Sequence, residues 1–237
     1  MDAMTHALIL ALFAGLAMPL GGVFARIEHI RDARVEARFV KGVTAFGGGA
    51  LLSAVALVLV PKGAETLPVH WAVSLLVGGG ITFYAIDKWL AKAGGNGALL
   101  LAMLLDFLPE AMALGALLVT EAATAKLLAA MMFLQNVPEG FGAFRDLWAK
   151  GHTPAWLVLL MFVGLAGLGP LCAALGFHFL ANDPATLGGI MIFAAGGILY
   201  LIFQDIAPEA YEKGTWSPAL GAVAGFALGL AGDMVIG

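Results

Sequence analysis

The sequence predicts an all-α integral membrane protein built as an eight-helix transmembrane bundle, and three observations predict it. Of 237 residues, 61% are hydrophobic and 12% are charged, with a mean hydropathy of +0.95, whereas soluble domains carry about 45–50% apolar and about 25% charged residues. The apolar runs are continuous and approach the roughly 20 residues that a bilayer-spanning helix needs; the strands of a membrane barrel alternate polar with apolar over only about ten. Charges, Gly/Pro clusters and Asn/Asp turns divide the chain into eight such runs. A water-soluble globule is excluded, and residues 1–237 are expected to form a single transmembrane domain.

The first span, 5–26, follows Met1 to His6, which lack a basic n-region, so it reads as a retained helix rather than a cleaved signal peptide. Arg26 to Lys41 is the only connection long enough to have structure of its own, a loop that is polar and basic. The second span, 42–61, carries Gly47-Gly48-Gly49 and closes on Val60-Pro61-Lys62-Gly63; the third, 69–90, carries Gly78-Gly79-Gly80 and precedes a tight turn at Ala93-Gly94-Gly95-Asn96-Gly97. The fourth, 98–119, holds Asp106-Phe107-Leu108-Pro109-Glu110, and the fifth, 125–145, holds Gln135-Asn136-Val137-Pro138-Glu139-Gly140. The sixth, 154–179, is followed by the Asn182-Asp183-Pro184 turn. The seventh, 185–208, closes on Asp205-Ile206-Ala207-Pro208-Glu209, and the eighth, 217–236, has Gly221, Gly225 and Gly229 at four-residue spacing. These glycines read as close helix packing of the small-xxx-small kind. The faces they form also suggest a homodimer.

Lys and Arg excess marks the cytoplasmic loops. After the odd-numbered spans come Arg26, Arg31, Arg34, Arg38, Lys41, Lys88, Lys92, Arg145, Lys150 and Lys213, against Lys62 and Lys126 on the other side. Both termini are therefore expected outside, in a multi-pass protein of the cell (inner or plasma) membrane.

Polar residues inside spans are functional hypotheses by default, and here they recur around prolines. Residues four apart share a helix face, so Asp106 with Glu110, and Gln135 with Glu139, each aim two oxygen-bearing groups in one direction. Pro109 and Pro138 each remove an N–H and free the carbonyl four residues back, those of Leu105 and Leu134. The two motifs lie at similar depth on consecutive antiparallel spans. Three carboxylates and the amides of Gln135 and Asn136 would then meet near the midplane with no Lys or Arg to neutralise them, and a divalent cation would answer all of them at once. Asn136 alone could equally be interhelical hydrogen-bond glue.

In these residues the chain resembles the ZIP family of divalent-metal transporters, whose fourth and fifth spans carry Pro-Glu-Gly type motifs that ligate metal. The resemblance extends to Ala14-Gly15-Leu16-Ala17 with Gly21-Gly22, Phe46-Gly47-Gly48-Gly49, Ile86-Asp87-Lys88, and Gly196-Gly197-Ile198-Leu199-Tyr200. It implies inverted repeats of spans 1–3 and 6–8 around spans 4–5, which the Pro61 and Pro208 motifs on opposite faces independently support. It also implies a transported divalent cation of the zinc, iron or manganese class as substrate, and a metal site of Asp106, Glu110, Gln135, Asn136 and Glu139. Lys62 would stand at the outer mouth, and Asp205 and Glu209 near the cytoplasmic one, as pathway or gate. Where the family has His and Asn, this chain has Asp106 and Phe107; Gln135 replaces His, Lys62 an acidic residue, and Gly169 the sixth-span Glu. One metal position rather than two is expected, and an all-oxygen ligand set leans toward the harder cations.

His6, His29, His70, His152 and His178 map to loops or span ends and read as solvated residues, with His29 as a weak cytosolic metal contact in the alternative. Lone Cys172 excludes an internal disulfide. No Walker sequence occurs, and neither enzymatic activity, an organic cofactor nor a nucleic-acid partner is expected; membrane lipid is. Two other classes compete: a ZIP-like scaffold that senses metal or binds a partner without transporting, and an intramembrane aspartyl protease using Asp106 and Asp205. Their differing depths and the lack of a Gly-x-Gly-Asp signature weigh against the protease.

Overall fold

The computed structural model describes residues 2–93, 96–149 and 153–236; Gly94 and Gly95 of the expected third turn, Lys150 and His152 lie outside the described residues. Long helices follow one another as α1 (Ala3–Ile27), α2 (Ala33–Glu65), α3 (Val69–Ala93), α4 (Asn96–Thr120), α5 (Ala122–Ala149), α6 (Ala155–Leu180), α7 (Pro184–Ala210) and α8 (Ala219–Ile236), with no strand among the described residues. Among the described residues, seven segments are long and apolar enough to cross a bilayer, which makes this an all-α, multi-pass membrane protein. The helix outside that set is α5. It carries Lys126, Gln135, Asn136, Glu139, Arg145 and Asp146, and α1, α2, α4, α6 and α8 all pack on it. Leu127, Leu128, Met131, Met132, Phe144 and Leu147 of α5 are buried, so protein rather than lipid surrounds most of this polar helix.

The expected loop from Arg26 to Lys41 is corrected. Helix α2 begins at Ala33, leaving only residues 28–32 as a connection. The reason is local: Asp32 is an N-cap whose Oδ1 accepts from Arg34 N at 2.8 Å and Val35 N at 3.2 Å, and the helix-forming Ala33, Arg34, Glu36 and Ala37 follow it. The same device opens α7, where Asp183 Oδ1 accepts from Thr186 N at 3.1 Å ahead of Pro184 at the first helical position.

Helix α2 also continues past Pro61 to Glu65. A single π-turn, Val55–Leu59, precedes Val60-Pro61, and another, Ile202–Ile206, precedes Ala207-Pro208. A proline ring collides with the carbonyl four residues back; here those carbonyls, of Leu57 and Gln204, lie within the wider turn, which lets the helix continue through the proline. Pro109 and Pro138, by contrast, sit within uninterrupted α4 and α5.

The glycines act as contact points between backbones. A Cβ on Gly49 would overlap the Ala222 carbonyl, on Gly225 that of Phe46, on Gly221 that of Gly42, and on Gly79 that of Phe193. Helix α2 thereby meets α8, and α3 meets α7, at distances that only glycine permits. Gly78 departs from the pattern, facing open space.

Candidate functional site

Helices α4 and α5 bring the expected polar residues together. Asp106, Glu110, Gln135 and Asn136 are each at most 1% exposed. The four-residue spacing does what the sequence implies: Asp106 and Glu110 point from one face of α4, and Gln135 and Glu139 from one face of α5. Gln135 Nε2 donates to Glu110 Oε2 at 2.7 Å, joining the two helices. Asp106 lies within electrostatic reach of both Glu110 and Glu139.

These groups have little else to satisfy them. Both carboxylate oxygens of Asp106, Oε1 of Glu110, Oε1 of Gln135, Oδ1 of Asn136 and Oε2 of Glu139 are enclosed without a hydrogen-bond partner. Such groups are rare in native interiors, because each unsatisfied polar atom costs about 1–3 kcal/mol, and more when charged. All six atoms are oxygens able to ligate a hard cation. Among the described residues, no three Asp, Glu, His or Cys side chains already converge on one point as they would around a bound metal.

Asn136 is held differently from the rest. Its Nδ2 donates to the Ala14 carbonyl of α1 at 2.9 Å, so its amide ties α5 to α1, with Oδ1 alone left for another partner.

From Gln135 and Glu139 a cleft of about 160 Å³ runs toward the end of the bundle where α2 begins and α7 ends. Its walls place Asp146 of α5, Thr44 and Gly47 of α2, and Asp205 and Glu209 of α7 together. Asp146, Asp205 and Glu209 are exposed at its mouth. Asp146 and Thr44 are additions to the residues singled out from sequence. The signal for Asp146 was present, since Gln135, Glu139, Gly142 and Asp146 recur at i, i+4, i+7 and i+11 on one helical face.

Lys62 occupies the opposite end. Its Nζ lies 2.8 Å from Glu121 Oε2, in the turn between α4 and α5, and 3.4 Å from Glu65 Oε1. The Lys62 ammonium holds the Glu121 carboxyl below the usual range, with the Thr124 hydroxyl adding to the effect. A depressed carboxyl stabilises the fold above its unfolded-state pKa, and that contribution disappears as pH falls through the folded value. Acid therefore loosens this link between α2 and the α4–α5 turn.

Beside the polar centre, the Phe107 ring is fully buried. A Cβ on Gly169 of α6 would stand 2.7 Å from its Cζ and 3.0 Å from the Ala11 carbonyl, and a Cβ on Gly15 would stand 3.0 Å from the same Cζ. Phe107 fills the space between α1, α4 and α6. His6, His29, His70 and His178 are all exposed. No family model matches the chain, and no curated protein matches it.

Proposed function

We propose that the protein is a ZIP-like transporter that moves a divalent cation across the cell membrane through the polar centre between α4 and α5. The reading is supported above all by the enclosed, unpartnered oxygens of Asp106, Glu110, Gln135, Asn136 and Glu139. Unpaired carboxylates are very unfavourable away from water, and the only side-chain donor that Glu110 meets among the described residues is Gln135. A cation supplies what they lack.

The wider architecture in this proposal is an eight-span bundle with inverted repeats of α1–α3 and α6–α8 around α4 and α5. The identical placement of Pro61 and Pro208 two residues after a π-turn supports it. The surplus of Lys and Arg at the α1–α2 end supports a cytoplasmic position for the cleft mouth and outside positions for both termini. Asp205 and Glu209 then flank an inner exit, and the Lys62 pair closes the outer end. Phe107 packed against Gly169 supports one metal position, since the ring takes the room a second would need. Within the zinc, iron and manganese class, the oxygen-only donors favour Mn²⁺.

Uptake of Mn²⁺ or Zn²⁺ into proteoliposomes tests the proposal: accumulation above protein-free vesicles is expected. Metal binding without uptake would move the chain to a sensor or scaffold, and cleavage of a transmembrane peptide would move it to a protease. Because carboxylates ligate metal when ionised, binding releases protons, and affinity should weaken steadily from about pH 8 to pH 5. A flat profile by calorimetry would mean that the carboxylates are already ionised before metal binds, and would overturn the expected proton release without removing them from the ligand set.

Lys62 gives a separate expectation. Paired with Glu65 and Glu121, its charge is largely offset, so the residue acts as a clasp at the outer end. Lys62→Glu sets three acidic residues together there, breaks the clasp and attracts cations; initial uptake should rise several-fold at low ionic strength and less at high salt, where exposed charges are screened. Equal rates for variant and parent at both salt levels would reduce Lys62 to an interfacial anchor.

A further inference from the structure

The first three turns of α2 carry more charge than the fold uses. At 33 residues, α2 is about 50 Å long at the α-helical rise of 1.5 Å per residue, against a hydrocarbon thickness of about 30 Å. The excess falls at its N-terminal end, where Arg34 and Arg38 share a face one turn apart and Arg31 lies in the bend just before the helix, all three exposed.

The acidic residues of this segment are already committed elsewhere. Arg145 of α5 takes both Glu28, at 2.7 Å, and Glu36, and Asp32 caps the helix. The other basic groups nearby are engaged as well: Arg26 lies 5.4 Å from the centre of the Trp148 ring, and Lys41 pairs with Glu212 at 3.4 Å while donating to the Tyr211 carbonyl. Arg31, Arg34 and Arg38 have no side-chain partner among the described residues. Flanking them, Val35 and Phe39 of the same helix and Phe24 and Ile27 of α1 are exposed hydrophobics. Cations beside apolar side chains, at the depth where a spanning helix leaves the hydrocarbon, match a layer that is anionic above and apolar below.

We infer that Arg31, Arg34 and Arg38 form a docking surface for the phosphate headgroups of anionic phospholipid, with Val35 and Phe39 seated at the acyl boundary. Arginine suits this role because its planar fork can donate two parallel hydrogen bonds to one phosphate. Helix α2 is continuous from this surface to Thr44 and Gly47 in the cleft wall, so a lipid held here fixes the foot of a helix that lines the cleft.

The experiment titrates the full-length protein in neutral detergent with phosphatidylglycerol or phosphatidylcholine and counts bound lipid by native mass spectrometry. The parent should bind phosphatidylglycerol in preference, and the triple variant Arg31→Gln, Arg34→Gln, Arg38→Gln should lose at least ~10-fold in that affinity. A control with Lys92→Gln and Lys126→Gln, two exposed lysines elsewhere, should bind as the parent does. Parent protein that binds both lipids equally would overturn the inference. So would a triple variant that keeps the parent's affinity, or a control that loses as much as the triple variant, since the last would reduce the effect to net charge.

Discussion

Glu110→Gln and Glu139→Gln should each lower divalent-cation affinity by well over tenfold while leaving the metal-free protein as stable as the parent or more so. The two signs come from one cause. Glu110 is fully buried with Oε1 unpartnered, and Glu139 has Oε2 enclosed in the same way. Without a cation, a buried carboxylate is a liability that glutamine relieves at nearly constant volume, and in Glu110→Gln the new amide would still offer an oxygen to Gln135 Nε2. With a cation, the lost charge dominates. Opposite unit charges 4 Å apart attract by about 4 kcal/mol at an effective dielectric near 20, and about 1.4 kcal/mol already amounts to tenfold.

Calorimetry and thermal unfolding with and without Mn²⁺ read the two effects separately. A ligand at 100 times its Kd raises stability by about 2.7 kcal/mol, and that increment should shrink in both variants. Asp106→Asn should follow them, since Asp106 has both oxygens unpartnered. Asn136→Ala should act differently, because the contact it makes is to the Ala14 carbonyl of α1: it should cost stability with or without metal. Unchanged affinity in both glutamate variants would dismiss α4 and α5 as the binding site.

Much of this centre is legible in the sequence because its logic is local. Four-residue spacing fixes a helix face whatever surrounds it, so Asp106 with Glu110 and Gln135 with Glu139 can be paired before any helix is placed. The close-packing glycines are legible for a similar reason, since Gly221, Gly225 and Gly229 leave a groove with no other ready use. What escapes depends on distant parts of the chain. Asp146 shares a helical face with Gln135 and Glu139, but only α2 and α7, closing a cleft around it, give that face a use at its far end. Phe107 reads as a lost ligand until Gly15 and Gly169 show the space its ring fills. The start of α2 is hidden because Arg31, Arg34 and Arg38 make the segment polar, and polarity alone does not separate a helix from a loop. The Asp32 cap and the clasp of Arg145 on Glu28 and Glu36 are what order it.

Gly140→Val should have the largest effect on the fold, and it joins packing to the site. Gly140 follows Glu139 directly, and a Cβ there would overlap the Met18 carbonyl of α1; across the same seam, a Cβ on Gly21 would overlap the Val137 carbonyl of α5. The two glycines thus let each helix lie against the other's backbone, with the Asn136 to Ala14 hydrogen bond between them. Overpacking a core costs about 1–3 kcal/mol when flexible side chains can yield. Here the obstacle is a backbone carbonyl, which cannot yield without moving a helix, so the loss should reach or exceed the upper end of that range. Moving α5 away from α1 also shifts Glu139 and Gln135 relative to Asp106 and Glu110, so any folded Gly140→Val protein should bind metal more weakly although no ligand has changed. Gly164→Ala is the comparison. That position on α6 has nothing within 4 Å of its added Cβ, and alanine is favoured over glycine within a helix by about 0.8–1.0 kcal/mol, so this variant should melt at or above the parent temperature with metal affinity intact. If Gly140→Val instead melts with the parent and binds metal equally well, the α1–α5 seam is looser than its carbonyl contacts imply, and the position of Glu139 does not depend on it.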